Sequence, residues 1–386
     1  MSTNKNRRPI NINEVLKLTQ QDINNLDSAA TTKLQDMIYN LKTVIRGDLN
    51  PIFSVDSAAL LPNITDNISE PDTIVYVKSE KNIFFNTTNN LGDPVWKPIK
   101  IQLPFQGRHY GFVSGGSYSN NVDRFSFASG TEDATSVGTL DTAKRYAAGQ
   151  SSDVNGYSSG GQTPPATSIT GVNKFPLVNS FSNIASTSNL SQARHGSAGL
   201  STIPNSTGYT AGGNNGSNVN TIDKFKFSND NTSVATNSLT IVDGFVSGNS
   251  GEDAGYVSGA AGLHKISYAN DAVSLVGGLS SELGASGQTS ATSGYSSGGV
   301  TLPNTYSNAV VRFPFANDTN VVSVGVLTNS SSAYAAGASS KTHGYRAGGT
   351  APDVNTIDRI DFASDGDATA VGSLSTTSFG YAGHQY

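Results

Sequence analysis

GFVSGG at 111–116, GYSSGG at 156–161, GYTAGG at 208–213, GYVSGA at 255–260, GYSSGG at 294–299 and GYRAGG at 344–349 are six copies of one string. Each is a glycine, an aromatic, a mostly small pair and a closing glycine pair, the fourth copy ending in Gly-Ala. The five intervals from first to last span 344 − 111 residues, a mean of 46.6. That period is close to a four-stranded propeller blade and far from the ~34 residues of common helix–turn–helix repeats. A single blade cannot bury both of its faces, so the units must stack in a ring.

Working outward from the string, each unit carries four strand patterns. The string is the first. The second alternates with period two: VDRFSF (122–127), VNKFPL (172–177), IDKFKF (222–227), LHKISY (263–268), VVRFPF (310–315) and IDRIDF (357–362). Alternation sends Phe125 and Phe127 to one sheet face and Val122 and Arg124 to the other. The third pattern ends in leucine, at Leu140, Leu190, Leu239, Leu279, Leu327 and Leu374. The fourth is small and glycine-containing: RYAAG from 145, RHGSAG from 194, GFVSG from 244, LGASG from 283, AYAAG from 333 and FGYAG from 379. Small residues fit a crowded strand near a ring axis. The glycine pairs Gly115–Gly116, Gly160–Gly161, Gly212–Gly213, Gly298–Gly299 and Gly348–Gly349 are read as structural.

Phase predicts how the ring closes. The first unit begins at its glycine-pair strand, and the last ends with the small strand FGYAGHQY. The C-terminal tail is therefore expected to supply the inner strand of the blade formed by residues 111–140. Closure of this kind removes an exposed sheet edge.

Composition agrees with an all-β, turn-rich chain. Charged residues are 14%, and glycine is 41 of 386, about 11% against a usual ~7%. The net charge of −5 argues against nucleic acid as a main partner, which needs clustered Lys and Arg. There is no cysteine, so disulfides, thiolate zinc sites and Cys nucleophiles are excluded. No apolar run reaches the ~18 residues of a membrane span, and the first ten residues lack the apolar core of a secretory signal. Synthesis in a cytoplasm is expected.

The glycine pair, the aromatic strand after it, and a leucine followed by Arg145 or Arg194 resemble kelch repeats, over about 276 of 386 residues. The resemblance implies a six-bladed propeller. One departure stands out: kelch units usually carry a late tryptophan, and the only Trp here is Trp96, outside the repeats.

Three segments are expected: 1–49, an N-terminal arm with helices; 50–105, a small β-rich module; and 106–386, the propeller. Asp27 or Ser28 could cap a helix running to Arg46. Leu34, Ile38, Leu41 and Ile45 make one apolar stripe, read either as packing on the same protein or as a self-associating seam that would make a homo-trimer. DTIVYVKSEKNIFF (72–85) predicts a hairpin turning at Ser79–Asn82, and Trp96 is a candidate core anchor. This module is similar to small modules of tailed-phage fibre and appendage proteins, and the whole chain most resembles marine phage structural proteins with kelch-like units. That resemblance implies a virion protein made in the host cytoplasm. Its N-terminal region would contact other virion proteins, and its propeller would serve adhesion, decoration or binding of a host-surface glycan or protein.

Candidate chemistry is sparse. The histidines at 109, 195, 264, 343 and 384 are scattered, without HxH or HExxH spacing, and there is no P-loop or GxSxG. Copper sites of galactose-oxidase-like propellers need a cysteine. The repeated Asp123, Asp223 and Asp358, beside Arg124, Lys224 and Arg359, read as caps repeated in each blade. The acidic turns Glu132–Asp133 and Asp365–Asp367 read as hairpin turns, with calcium as the other possibility. No catalytic residue, metal or cofactor is assigned, and no enzyme activity is expected. A carbohydrate-active propeller enzyme and a cellular kelch-type adaptor are the alternatives.

Loop lengths point to a ligand face. From the end of the second pattern to the leucine takes 11 to 13 residues in every unit. From marker glycine to the end of the second pattern takes 13 to 21. The segments after the glycine pair absorb the variation, and binding residues favour such loops. The longest are 162–170, 214–220 and 300–309, carrying the candidate ligand-facing residues Pro164, Pro165, Asn214, Asn215, Pro303 and Tyr306.

Overall fold

The structure, a computed structural model, describes residues 109–385 apart from 129–132, 183, 203–206, 230–231, 279–282, 302, 319–320 and 330–332. It also describes the backbone of four strands between residues 54 and 98. The chain divides into two compact units, Met1–Ile101 and Gln102–Tyr386.

In the first unit, Ser54–Val55, Ile74–Val77, Asn82–Thr88 and Pro94–Pro98 form one sheet in that order. The middle two strands are the expected hairpin, with Ile74 opposite Phe85 and Val77 opposite Asn82. Trp96 lies on the last strand, its backbone opposite Asn86. The expected N-terminal helix and its stripe Leu34, Ile38, Leu41 and Ile45 lie outside the described residues.

The second unit is a six-bladed β-propeller. Each blade is a four-stranded antiparallel sheet, as in the second: Ala148–Ser151 innermost, then Asn155–Ser159, Gly171–Pro176 and Ser186–Asn189. The innermost strands of the third to sixth blades are Ala198–Thr202, Ser247–Ser250, Ser286–Thr289 and Ala336–Ser339. The first blade takes its innermost strand from the other end of the chain. Tyr381–Gln385 pairs antiparallel with Tyr110–Gly115, Tyr381 opposite Gly115 and Gln385 opposite Gly111. The expected closure is therefore the closure observed.

Between blades, the alternating strand divides its side chains as its period dictates. Phe125 joins the cluster of Val113 and Tyr345 on the sixth-blade side, while Val122 joins Phe112, Leu140 and Phe175 on the second-blade side. In the second to sixth blades the marker tyrosine packs against the aromatic ending the alternating strand of the next blade, as Tyr209 does on Tyr268 at 5.5 Å. Tyr157 lies 4.6 Å from Phe227, Tyr256 5.0 Å from Phe315, Tyr295 4.7 Å from Phe362, and Tyr345 4.7 Å from Phe127 across the closure. Such pairs contribute roughly 0.5–1.5 kcal/mol each beyond the area they bury.

The repeated aspartates cap, each across a blade junction. Asp123 accepts from the Ser375 backbone N–H at 2.9 Å and its hydroxyl at 2.8 Å. Asp223 accepts from the Ser191 N–H at 3.1 Å and pairs with fully buried Arg194 at 2.9 Å. Asp358 accepts from the Thr328 hydroxyl. Each partner directly follows the leucine of the preceding blade. At the equivalent position Asn173 donates to Asp141 at 2.6 Å, and His264 meets the Thr240 hydroxyl at 3.1 Å. His264 is thus a capping residue in an aspartate's place.

At the axis, the fourth pattern builds three stacked rings. The middle ring is Gly149, Gly199, Gly248, Gly287, Gly337 and Gly383. A Cβ on any of them would collide with the carbonyl oxygen of the ring glycine in the preceding blade. Two residues further on, Ser151, Ser201, Ser250, Thr289 and Ser339 each donate a backbone N–H to the side-chain oxygen of the next blade's ring residue. Gln385 closes this ring: its amide oxygen accepts from Ser339, and its N–H donates to the Ser151 hydroxyl at 3.1 Å.

Three residues before the glycine lies the third ring, Tyr146, Gly196, Phe245, Gly284, Tyr334 and Gly380, all in the left-handed backbone region. Backbone bonds run around it: Tyr146 N–H to Gly380 carbonyl at 2.6 Å, Gly380 to Tyr334 at 2.7 Å, Tyr334 to Gly284 at 2.6 Å, Gly284 to Phe245 at 2.7 Å. Val246 then donates to Gly196 at 3.1 Å, and Gly196 to Tyr146 at 2.8 Å. Aromatics and glycines alternate, which gives this end a pseudo-threefold arrangement.

Candidate functional site

The alternation closes the channel at this end. Tyr146, Phe245 and Tyr334 meet edge to face, with ring centroids 5.2 to 5.4 Å apart in all three pairs. The glycines between them leave the room that the rings fill: a Cβ on Gly284 would strike the Tyr334 ring. Burial pushes the Tyr146 hydroxyl up to about 12, so it remains a neutral phenol at physiological pH. The plug lies on the face that carries the glycine pairs. Arg145, beside Tyr146, bridges Gln162, and His195 bridges Asn214, each through backbone hydrogen bonds to the residue just past a glycine pair. The ten paired glycines all have positive φ, which makes this turn. At Gly160 a side chain would also strike the Arg194 carbonyl.

The candidate loops share this face, but only two of them converge. A groove is lined by Gln162, Ser168, Gln192, His195, Asn214 and Asn215, between the second and third blades. Pro164 and Pro165 form the tip of its second-blade wall, and the Pro165 carbonyl accepts from the Tyr118 hydroxyl at 3.3 Å. Two of the loops are more ordered than expected. In 162–170, Gln162–Thr163 pairs with Thr167–Ser168 as a miniature hairpin. Segment 300–309 is a continuation of the fifth blade's central hairpin, with Val300 opposite Tyr306 and Thr301 opposite Thr305. Pro303 and Tyr306 therefore sit on a β-hairpin of the fifth blade and not in the groove.

Sequence reading missed the residues that organise this groove. Gln162 Oε1 accepts from Arg145 Nε at 3.0 Å, Arg145 Nη2 at 2.9 Å and the Tyr118 hydroxyl at 3.2 Å. His195 Nδ1 meets the Ser168 hydroxyl at 2.9 Å. Burial, and then the Arg145 charge, hold His195 below its usual range, so its imidazole is neutral at pH 7. A signal was present in the sequence. Four residues before the ring glycine the chain reads Arg145, His195, Gly244, Leu283, Ala333 and Phe379. Only the second and third blades are polar at this rim position.

His343, His384 and the described acidic turns have structural partners. His384, on the closing strand, contacts the Ser114 hydroxyl at 2.9 Å and the Gln150 carbonyl at 3.0 Å. His343 lies against the Thr342 hydroxyl at 2.8 Å. At the opposite face the acidic turns latch neighbouring blades. Asp365 pairs with Arg312 at 2.8 Å and accepts from the Tyr295 hydroxyl at 3.1 Å. Asp318 likewise takes Lys265 and Tyr256, and Asp271 takes Lys224 and Tyr209. Glu132 lies outside the described residues, and Asp133 accepts from the Ser373 N–H at 2.9 Å. Among the described residues, no group of three His, Asp or Glu is placed to share a metal ion. No described helix is long and apolar enough to cross a membrane.

No protein-family model matches this chain, and no curated protein matches it.

Proposed function

We propose that this chain is a display protein. Its propeller binds a surface glycan on the plugged face, and residues 1–105 attach it to a virion as a tail or fibre appendage. The observation carrying the binding reading is the groove between the second and third blades. Its polar lining is amide, hydroxyl and imidazole, with no carboxylate among the described residues that form it. Such groups exchange hydrogen bonds with sugar hydroxyls and offer no acid–base pair for glycosidic cleavage. The rigid axial rings beneath hold the groove in shape, which lowers the ordering cost of binding.

The test is glycan-array binding by the full chain, followed by the double variant Asn214→Ala, Asn215→Ala. Binding lost in the variant while the melting temperature holds supports the reading; an array without a single bound glycan removes it. The virion setting rests on the resemblance of the N-terminal module and the repeats to phage appendage proteins. Negative-stain images of particles labelled with antibody to residues 111–386 test it directly.

A further inference from the structure

We propose that Arg145 reads the carboxylate of an acidic sugar bound at this groove, an inference that rests on the glycan reading above. Four lysine and arginine side chains of the propeller are matched to carboxylates: Arg194 to Asp223, Lys224 to Asp271, Lys265 to Asp318, Arg312 to Asp365. Arg145 is not. Among the described residues no carboxylate lies within ion-pair distance of it, and its only side-chain hydrogen bonds go to the neutral Gln162 amide oxygen.

The guanidinium is nonetheless held in place. It stacks over Tyr118 at 4.3 Å from the ring centroid and lies 4.9 Å from Tyr146 and 5.7 Å from Phe379. Stacking fixes the guanidinium plane, and Gln162 occupies the Nε side of the fork. The Nη1–Nη2 edge then remains as a pair of parallel donors, the geometry that takes a carboxylate bidentately. Because the arginine is already ordered, little side-chain entropy is lost when an anion arrives.

Gln162 is shared between this cation and the groove, so one ligand can reach both. Its carboxylate would meet Arg145, and its hydroxyls would meet Gln192, His195, Asn214 and Asn215. Among the described residues lining the groove, the apolar side chains are Ala166 and Ala193. That favours a uronic or sialic acid over an acidic peptide, which would need pockets for its other side chains.

The experiment is calorimetric titration of the full chain with sialyllactose, oligoglucuronate and oligoalginate, each beside its carboxyl-reduced counterpart, and with oligoglutamate. At least one acidic sugar is expected to bind roughly tenfold or more tighter than its reduced form. Arg145→Gln should erase that difference, and Arg145→Lys should keep only part of it, with unchanged melting temperatures as the control. Should Arg145→Gln fail to fold, the reduced sugars on the native chain and the lysine variant decide. Equal binding of acidic and reduced sugars overturns the role of Arg145 and leaves the glycan reading standing. No sugar binding at all, or tighter binding of oligoglutamate, overturns both.

Discussion

Gly149 and Gly383 are separated by 234 positions in the chain, yet the Gly383 carbonyl oxygen occupies the place where a Gly149 Cβ would be. The same contact recurs around the axis, and this one joins the second blade to the strand that closes the ring. A methyl group there has nowhere to go, because its obstacle is backbone. Gly149→Ala should cost about 3 kcal/mol or more by forcing two inner strands apart. Gly278→Ala, where a Cβ meets nothing within 4 Å, should change stability by less than about 0.5 kcal/mol. Chemical denaturation of the two variants checks this, and equal stability would remove the axial ring as a packing constraint.

Removing residues 378–386 should open the ring. The deletion strips Tyr110–Gly115 of its inner neighbour and takes away Gly380, Gly383 and Gln385, one member of each axial ring. The exposed edge then invites strand pairing between molecules. Light scattering should show aggregation at temperatures where the full chain stays monodisperse in its native assembly, and a truncated chain that melts like the full one would contradict the closure energetics.

The closing strand should also be sensitive to acid. Burial, offset in part by the Gln150 carbonyl, pushes His384 down to about 4 from an ordinary 6.5. In this window the unfolded chain takes up a proton that the folded chain refuses. Stability attributable to His384 is therefore complete above pH 6.5, falls as pH drops towards 4, and is level below that. The difference of 6.5 − 4 is worth about 3 kcal/mol. His384→Gln should lower stability by a fixed amount at pH 7 and flatten the decline between pH 6.5 and 4. Parallel denaturation curves at four pH values measure both, and an unchanged slope in the variant would assign the acid response elsewhere.

Tyr146 separates backbone from ring. Its φ of 55° is unfavourable for a residue with a Cβ, by about 1 kcal/mol, while its ring contacts those of Phe245 and Tyr334. Tyr146→Gly should lose the plug but recover the backbone term, as glycine does at Gly196, Gly284 and Gly380. Tyr146→Ala should lose the plug and keep the unfavourable backbone, and so be the less stable by about 1 kcal/mol. Thermal melts rank the two, and alanine equalling glycine would show that the left-handed conformation carries no cost here.

The number of blades, the strand order within each and the way the ring closes were legible from the amino-acid pattern alone. Those features repeat: six copies of a glycine-pair string, a period-two strand and a small strand leave one arrangement in which every apolar face finds a partner. The role of Asp123, Asp223 and Asp358 was legible for the same reason, since a residue repeated at one strand position meets the same surroundings in every blade that carries it. The features that the assembled ring set lie where the repeats differ. That Tyr146, Phe245 and Tyr334 meet across the axis depends on three glycines in the intervening blades, a relation between alternate repeats that no single unit displays. That Arg145 and Gln162 converge with His195 and Asn214, while Pro303 and Tyr306 stand apart on a hairpin of the fifth blade, depends on the angle through which one blade is turned from the next. Local periodicity fixes which face a side chain takes. Only the closed ring fixes which side chains from different blades arrive at the same place.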